Sequence, residues 1–379
     1  MTPLRPDRRT WLRHTAASLA SAGAWACSPA AAAPRRHPEA RVVQLLDMSA
    51  AQQESSRNYA TGLRLAWAEA SRSAAALPSL VTLETDGTPA STRPALDAVA
   101  TDPSVCAVVG TAGERLAAQC VQDLGRRAPE LAHLGPWLAD TAFDDLPQLA
   151  CLFAGRDAQI RHALRSLEGM GIQELALVYP DAEMHRTLGA GLQSLARELG
   201  LRAVALVPPA SSDVAALARD LPATAPPVML FLGATLELAR FALALPPGRR
   251  QRYLIALADV DLPTLQQLWT RPPLPVILTQ VVPVHQGQIA AVRRFRHLLK
   301  ELYDEPPSPV SLAGYLAGRY ALEVLRRAGE PTRTAVAQEV RRRSTVELDG
   351  FRLEFPSGRA RGSRYVTQTL LSVDGRLIA

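Results

Sequence analysis

The sequence predicts an α/β protein built as two lobes, each a mainly parallel sheet flanked by helices. Three observations predict it. From Ala40 onward, short β-branched or apolar runs alternate with longer amphipathic stretches, the pattern of a parallel sheet covered by helices. Nine or ten such runs can be counted, too many for one ordinary doubly wound sheet, so two sheets of about five are expected. The chain has 379 residues, too many for a single comfortable core.

Residues 41–46 (Arg-Val-Val-Gln-Leu-Leu) read as the first strand and 59–71 as the helix after it. A second strand, 80–85, runs into the turn-like Asp86-Gly87-Thr88-Pro89, and a third, 106–109, into Gly110-Thr111-Ala112-Gly113 and a helix. Residues 131–134 end at Gly135-Pro136-Trp137. The rhythm then repeats at 175–179, 204–207, 228–232, 253–257 and 276–282. Helices over 288–303 and 311–328 come after the second sheet is complete and suit a return to the first lobe. From 348 to 378 the character changes: Asp349-Gly350, a Gly-rich stretch and Asp374-Gly375 mark antiparallel strands joined by hairpin turns.

The first thirty-odd residues read as an address label. Arg8-Arg9 opens a charged start, a weakly hydrophobic middle follows, and Ala30 to Ala33 offers an Ala-x-Ala exit, which together resemble a twin-arginine export signal over 1–33. A merely basic, Ala-rich start is the plainer alternative. A lipid anchor at Cys27 is disfavoured because the bulky Trp25 stands where a lipoprotein signal carries a small residue. Removing 1–33, with four arginines and one aspartate, lowers the net charge from +6 to +3, not the surplus of a nucleic-acid binder. Lys300 is the only lysine, so the arginine excess reflects base composition rather than phosphate contacts. Later apolar runs fall far short of the roughly 20 residues that span a bilayer. Cys106, Cys120 and Cys151 allow one disulfide or three buried thiols, and their spacing matches no metal site.

In open α/β sheets, ligands collect at the carboxyl ends of strands. Gly110-Thr111-Ala112-Gly113 is the best such loop: small residues let amides and the Thr111 hydroxyl approach an anion where a helix dipole also favours negative charge. It reads equally as a plain tight turn. Trp137 is either an apolar wall over a ligand or a cover for the lobe edge. Asp259 reads as a partner for a ligand ammonium or as a helix N-cap or solvated loop acid. No Gly-x-Ser-x-Gly elbow, His-Glu-x-x-His, phosphate-loop lysine or Cys beside a plausible base is present, so binding is favoured over catalysis and no cofactor or metal is implied.

These residues resemble the leucine-binding-protein-like solute-binding proteins of ABC transporters. The likeness covers nearly the whole chain from Arg41 to Ile378. It is carried by Asp47-Met48-Ser49 with Arg57-Asn58-Tyr59 and Gly62, by Val109 to Gly113, and by Leu230-Phe231-Leu232-Gly233. Ser311 to Ala317 and the stretch from Gly350 to Arg376 complete it.

The resemblance implies a type I periplasmic-binding, Venus-flytrap fold whose lobes are joined by three crossovers. It places 40–154 and 284–344 in lobe 1, and 155–283 and 345–379 in lobe 2. It further implies a monomer in the periplasm that captures an amino acid or related small carboxylate for an inner-membrane permease. A sensor of the same fold is the alternative. Carried over, Thr111 with the amides of Gly110, Ala112 and Gly113 would hold the carboxylate. Ser49, Trp137 and Asp140 would line the first lobe; Tyr179, Met184, Gly233, Thr235 and Asp259 would come from the second. The chain departs from the family at Met184-His185 and at Pro136-Trp137-Leu138, which makes an aromatic acid or another organic anion as credible as an α-amino acid.

Overall fold

A computed structural model describes residues 39–73, 77–247 and 250–378. The expected export signal, its arginine pair and Cys27 lie outside the described residues. Among those described, no helix is long and apolar enough to cross a membrane.

The first sheet is assembled from β1 (Arg41–Asp47), β2 (Ser79–Thr85), β3 (Val105–Val109), β4 (Ala132–Leu134) and β5 (Leu149–Ala150), in the order β2-β1-β3-β4-β5 with every pair parallel. The connecting helices are α1 (Gln53–Ser71), α2 (Pro89–Thr101) and α3 (Glu114–Arg127). Strand β1 is buried from Val42 to Asp47, as a strand covered on both faces must be, and its one amide side chain, Gln44, donates through Nε2 to the Gly110 carbonyl at 3.0 Å.

The chain then crosses into the second lobe through α4 (Arg156–Gly169), whose Ile160, Ala163 and Leu164 join that lobe's core. There β6 (Glu174–Val178), α5 (Ala182–Glu198), β7 (Arg202–Leu206), α6 (Val214–Arg219), β8 (Val228–Phe231), α7 (Thr235–Ala244), β9 (Tyr253–Ala256), α8 (Leu262–Leu268) and β10 (Val276–Gln280) alternate.

The chain returns through α9 (Ala290–Leu302), α10 (Pro309–Ala328) and α11 (Arg333–Arg341) to the first lobe. Val292, Phe295, Leu312 and Tyr315 there share a core with β1 and α1. A hairpin of β11 (Val346–Leu348) and β12 (Phe351–Leu353) follows. Then β13 (Thr367–Leu371) and β14 (Leu377–Ile378) extend the second sheet as β14-β13-β10-β9-β8-β6-β7, antiparallel at β13 and β14 and parallel elsewhere. The second sheet thus has seven strands rather than about five.

One boundary needs correction. Residues 345–355, expected in the second lobe, pack in the first. Val346, Leu348, Phe351, Leu353 and Phe355 are buried in the core with α10, and the Phe355 ring lies 5.6 Å from Tyr320. The alternation of buried and exposed residues explains it, since both strands present one apolar face and α10 is the face they meet. Asp349-Gly350 is the turn of this hairpin, with φ of 50° and 97°, the positive values that a two-residue turn requires. The three thiols settle as buried groups without a disulfide: Cys106, Cys120 and Cys151 are free, and burial pushes them up to about 11, 12 and 12.

Candidate functional site

The carboxyl ends of the two parallel sheets face one another, and the residues there are best built from the Gly110–Gly113 loop outward. Two of its four amides are committed to the backbone, Gly110 to the Leu134 carbonyl at 2.8 Å and Ala112 to that of Leu45 at 3.0 Å. The Thr111 carbonyl receives the Trp137 amide at 2.8 Å. Thr111 is 2 % exposed.

Gly113, at φ 102°, leads into α3 directly over Asp47, so close that an added Cβ would lie 2.5 Å from the Asp47 Cβ. Asp47 in turn accepts the Ser49 amide at 2.9 Å. Glu114 occupies the first turn of the same helix. The positive end of the α3 dipole, expected to hold a ligand anion, is therefore faced by the chain's own Asp47.

Glu114 is the centre of the contact between lobes. Its Oε2 accepts the Ala139 amide at 2.8 Å and its Oε1 the Asp140 amide at 2.9 Å. Arg156, first residue of α4, reaches Glu114 at 3.3 Å and Asp259, in the loop after β9, at 3.7 Å. Nearby, Asn58 of α1 donates to Asp261 at 3.2 Å, joining the lobes directly. Asp261 caps α8 through the Thr264 amide and takes the Thr235 hydroxyl as acceptor for its own amide at 2.9 Å. Gln159 of α4 ties the second lobe's strand ends together, accepting the Ala258 amide at 2.9 Å and the Thr279 hydroxyl at 3.0 Å.

Burial, and next the proximity of Asp259, push the Glu114 carboxyl up to about 7, against the opposing pull of Arg156 and the two amides. Burial pushes His133 the other way, down to about 4. Glu114 keeps a proton in the folded state that the unfolded chain loses above 4.5, so its contribution falls as pH rises from 4.5 to about 7. His133 stays neutral in the folded state where the unfolded chain is protonated, so its contribution rises from about 4 to 6.5. Glu114→Gln removes the first slope and leaves the second. Its melting temperature should therefore climb more steeply with pH between about 4.5 and 6.5 than that of the unaltered protein. Parallel pH profiles for the two proteins would show that Glu114 is not raised.

The floor of the cleft is apolar. Trp137 packs at a tilt 5.5 Å from the Tyr59 ring and 5.7 Å from Phe153, and Tyr59 is fixed by its hydroxyl on the Gly135 carbonyl at 2.7 Å. Two small cavities adjoin Trp137. One, of about 20 Å³, is walled by Val260, Leu278, Gln280 and Val310; the other, of about 10 Å³, by Phe153, Gln159 and Asp259. A water needs roughly 10–15 Å³, so this closed arrangement has room for little more than one, and the lobes must part to admit anything larger.

Of the residues singled out from sequence, Gly110, Thr111, Ala112, Gly113, Ser49, Trp137, Asp140, Thr235 and Asp259 all lie at these strand ends. Several of their roles differ from expectation. Asp259 faces Arg156 rather than a solvated loop. Asp140 is structural, capping the Ala142 amide at 2.9 Å and giving its carbonyl to Arg361 at 3.0 Å. Gly233 abuts Glu237, whose Oε2 accepts the Ala234 amide at 2.8 Å. Tyr179 is buried in the second lobe's core, edge-on to His185 at 4.8 Å, and Met184 packs half-buried on the same core, so neither joins the contact between lobes. Glu114, Arg156, Asn58, Gln159 and Gln280 were missed. Arg156 carried a signal, because a cation on the first turn of a helix opposes the dipole and wants a reason.

Two α/β lobes joined by three crossings, closing over a cleft at their strand ends, define the type I periplasmic-binding fold. The sequence model of the periplasmic binding protein family matches residues 39–369, and the chain belongs to that family. Similar solved structures share the fold at low identity. An extracellular ligand-binding receptor from Verminephrobacter eiseniae is 17 % identical with a TM-score of 0.77, over 90 % of this chain and 100 % of that one. A leucine-binding protein from Thermotoga maritima is 15 % identical with a TM-score of 0.75, over 89 % and 97 %. An ABC transporter solute-binding protein from R. palustris, solved in complex with benzoate, is 12 % identical with a TM-score of 0.69, over 90 % and 95 %. No curated protein matches the chain in sequence.

Proposed function

We propose that this chain is a periplasmic solute-binding protein of an ABC importer, capturing a small organic solute between its lobes and presenting it to a membrane permease. The observation that carries this is the contact between lobes: Asn58 with Asp261, and Arg156 between Glu114 and Asp259, join surfaces that three chain crossings allow to separate. Capture follows by population shift, since a solute touching both lobes favours the closed form. An affinity near 1 μM corresponds to roughly −8 kcal/mol, within reach of a few charge-assisted hydrogen bonds and the burial of an apolar body on Trp137.

An amino acid or related small carboxylate is the first solute class to test, because the named ligands of the solved relatives include leucine and benzoate. The protein acts outside the cytoplasm as a monomer and converts nothing. The test is a thermal-shift screen of residues 34–379 against amino acids, aromatic acids, dicarboxylates and amines. Mass action raises the melting temperature with any solute that binds only the folded form. A dose-dependent shift supports capture, and silence across the whole panel contradicts it.

A further inference from the structure

The charge around the cleft points away from a carboxylate. Asp47, Asp259 and Asp261 gather at the facing strand ends beside the Glu114 carboxyl, with Arg156 as the guanidinium set among them. The next cation, Arg361, is already neutralised by Asp144 at 2.9 Å. Asp259 meets Arg156 only at 3.7 Å, longer than a hydrogen bond, so its acceptor capacity is not used up there.

A second observation is independent of the acids. Gln280, 3 % exposed, walls the cavity beside Trp137, and its side-chain oxygen has no hydrogen-bond partner. A buried orphan acceptor calls for a donor. Apart from Thr279, whose hydroxyl donates to Gln159, the other side chains of that cavity are apolar, and the Trp137 ring offers a face that attracts cations. Among the described residues, no group of His, Cys, Asp and Glu converges closely enough to hold a metal ion, which leaves an organic cation.

Resting on solute capture as the function, we propose that the cleft selects an amine with an apolar body and no free carboxylate. Its ammonium is received by Asp259, and its body lies on Trp137 beside the cavity that Gln280 walls. An ammonium carries three donors and no acceptor, which suits a carboxylate held only in a loose ion pair and a neighbouring buried carbonyl without a donor. A ligand carboxylate would instead meet the helix end that Asp47 already occupies, at like-charge cost.

The test uses matched compounds: 2-phenylethylamine, phenylacetate and phenylalanine, with isoamylamine, isovalerate and leucine as the aliphatic set, titrated calorimetrically into residues 34–379. The amines are expected to bind at least about tenfold more tightly than their matched acids and amino acids. Asp259→Asn, which removes a charge engaged only in a loose ion pair, is expected to weaken the amine about tenfold or more while leaving the melting temperature of the free protein nearly unchanged. The remote surface variant Glu198→Gln is expected to bind as the unaltered protein does. Tighter binding of an acid or amino acid, or amine binding indifferent to Asp259→Asn, overturns the assignment while leaving solute capture standing. No response to any amine overturns it as well, and silence across the wider solute panel removes the capture reading with it.

Discussion

Arg361→Ala is expected to cost the folded protein about 3–5 kcal/mol, the usual penalty for stranding one member of a buried ion pair. The guanidinium is 9 % exposed and every part of it is used. It meets Asp144 through two parallel bonds, Nε to Oδ2 at 3.0 Å and a terminal nitrogen to Oδ1 at 2.9 Å. Its remaining donors take the carbonyls of Phe153 at 2.6 Å, Asp140 at 3.0 Å and Leu138 at 3.2 Å. Those carbonyls belong to the loop carrying Trp137 and to the segment entering α4, so the residue fastens the returning chain onto the first lobe where two crossings begin. Alanine leaves Asp144 charged, buried and without its counter-ion. Arg361→Lys should recover part of the loss, since it restores charge without the planar fork. The urea midpoint is the readout, and a shift of less than about 1 kcal/mol would show the clamp to be dispensable.

Gly314→Ala is expected to destabilise by about 3 kcal/mol or more, at the upper end of overpacking costs. Helix propensity predicts the opposite sign, a gain of up to about 1 kcal/mol. Contact decides it. A Cβ at 314 would lie 2.0 Å from the Tyr59 carbonyl oxygen and 2.8 Å from its carbon, and one at Gly62 would lie 1.8 Å from the Ser311 carbonyl oxygen. These obstacles are backbone, which no rotamer change relieves, because α1 and α10 touch main chain to main chain. Gly191, within α5, is the control: nothing lies within 4 Å of its Cβ position, and Gly191→Ala should stabilise by up to about 1 kcal/mol. If both substitutions moved the urea midpoint the same way, packing at Gly314 would not be the deciding term.

Much of this architecture was legible because burial imposes patterns. Val42, Val43, Leu45 and Leu46 read as a strand covered on both faces, and Asp349-Gly350 marked a hairpin by its need for positive φ. The lobe to which that hairpin belongs was not legible, because Val346, Leu348, Phe351 and Leu353 announce an apolar face without naming its partner. The site was legible as a set of strand-end loops, and Gly110 to Gly113, Trp137 and Asp259 do lie there. Its chemistry was hidden by distance in sequence. Asp47 and Gly113 meet across 66 residues, and Glu114 and Asp259 share one guanidinium across a still longer span, so the helix end that looked open to an anion shows Asp47 against it only once folded.

The central claim is that a solute is held by closure of the two lobes, and the distance between lobes tests it most directly. Ala90→Cys on α2 and Glu183→Cys on α5 put exposed labelling sites at the carboxyl ends of the first and second sheets, while Cys106, Cys120 and Cys151 are buried away from reagent. With donor and acceptor dyes at these positions, energy transfer should rise on titration with the best solute of the thermal-shift panel. The rise should follow the calorimetric binding curve and be reduced by Asp259→Asn. Saturating binding with no change in transfer would place the solute outside the cleft and contradict the account.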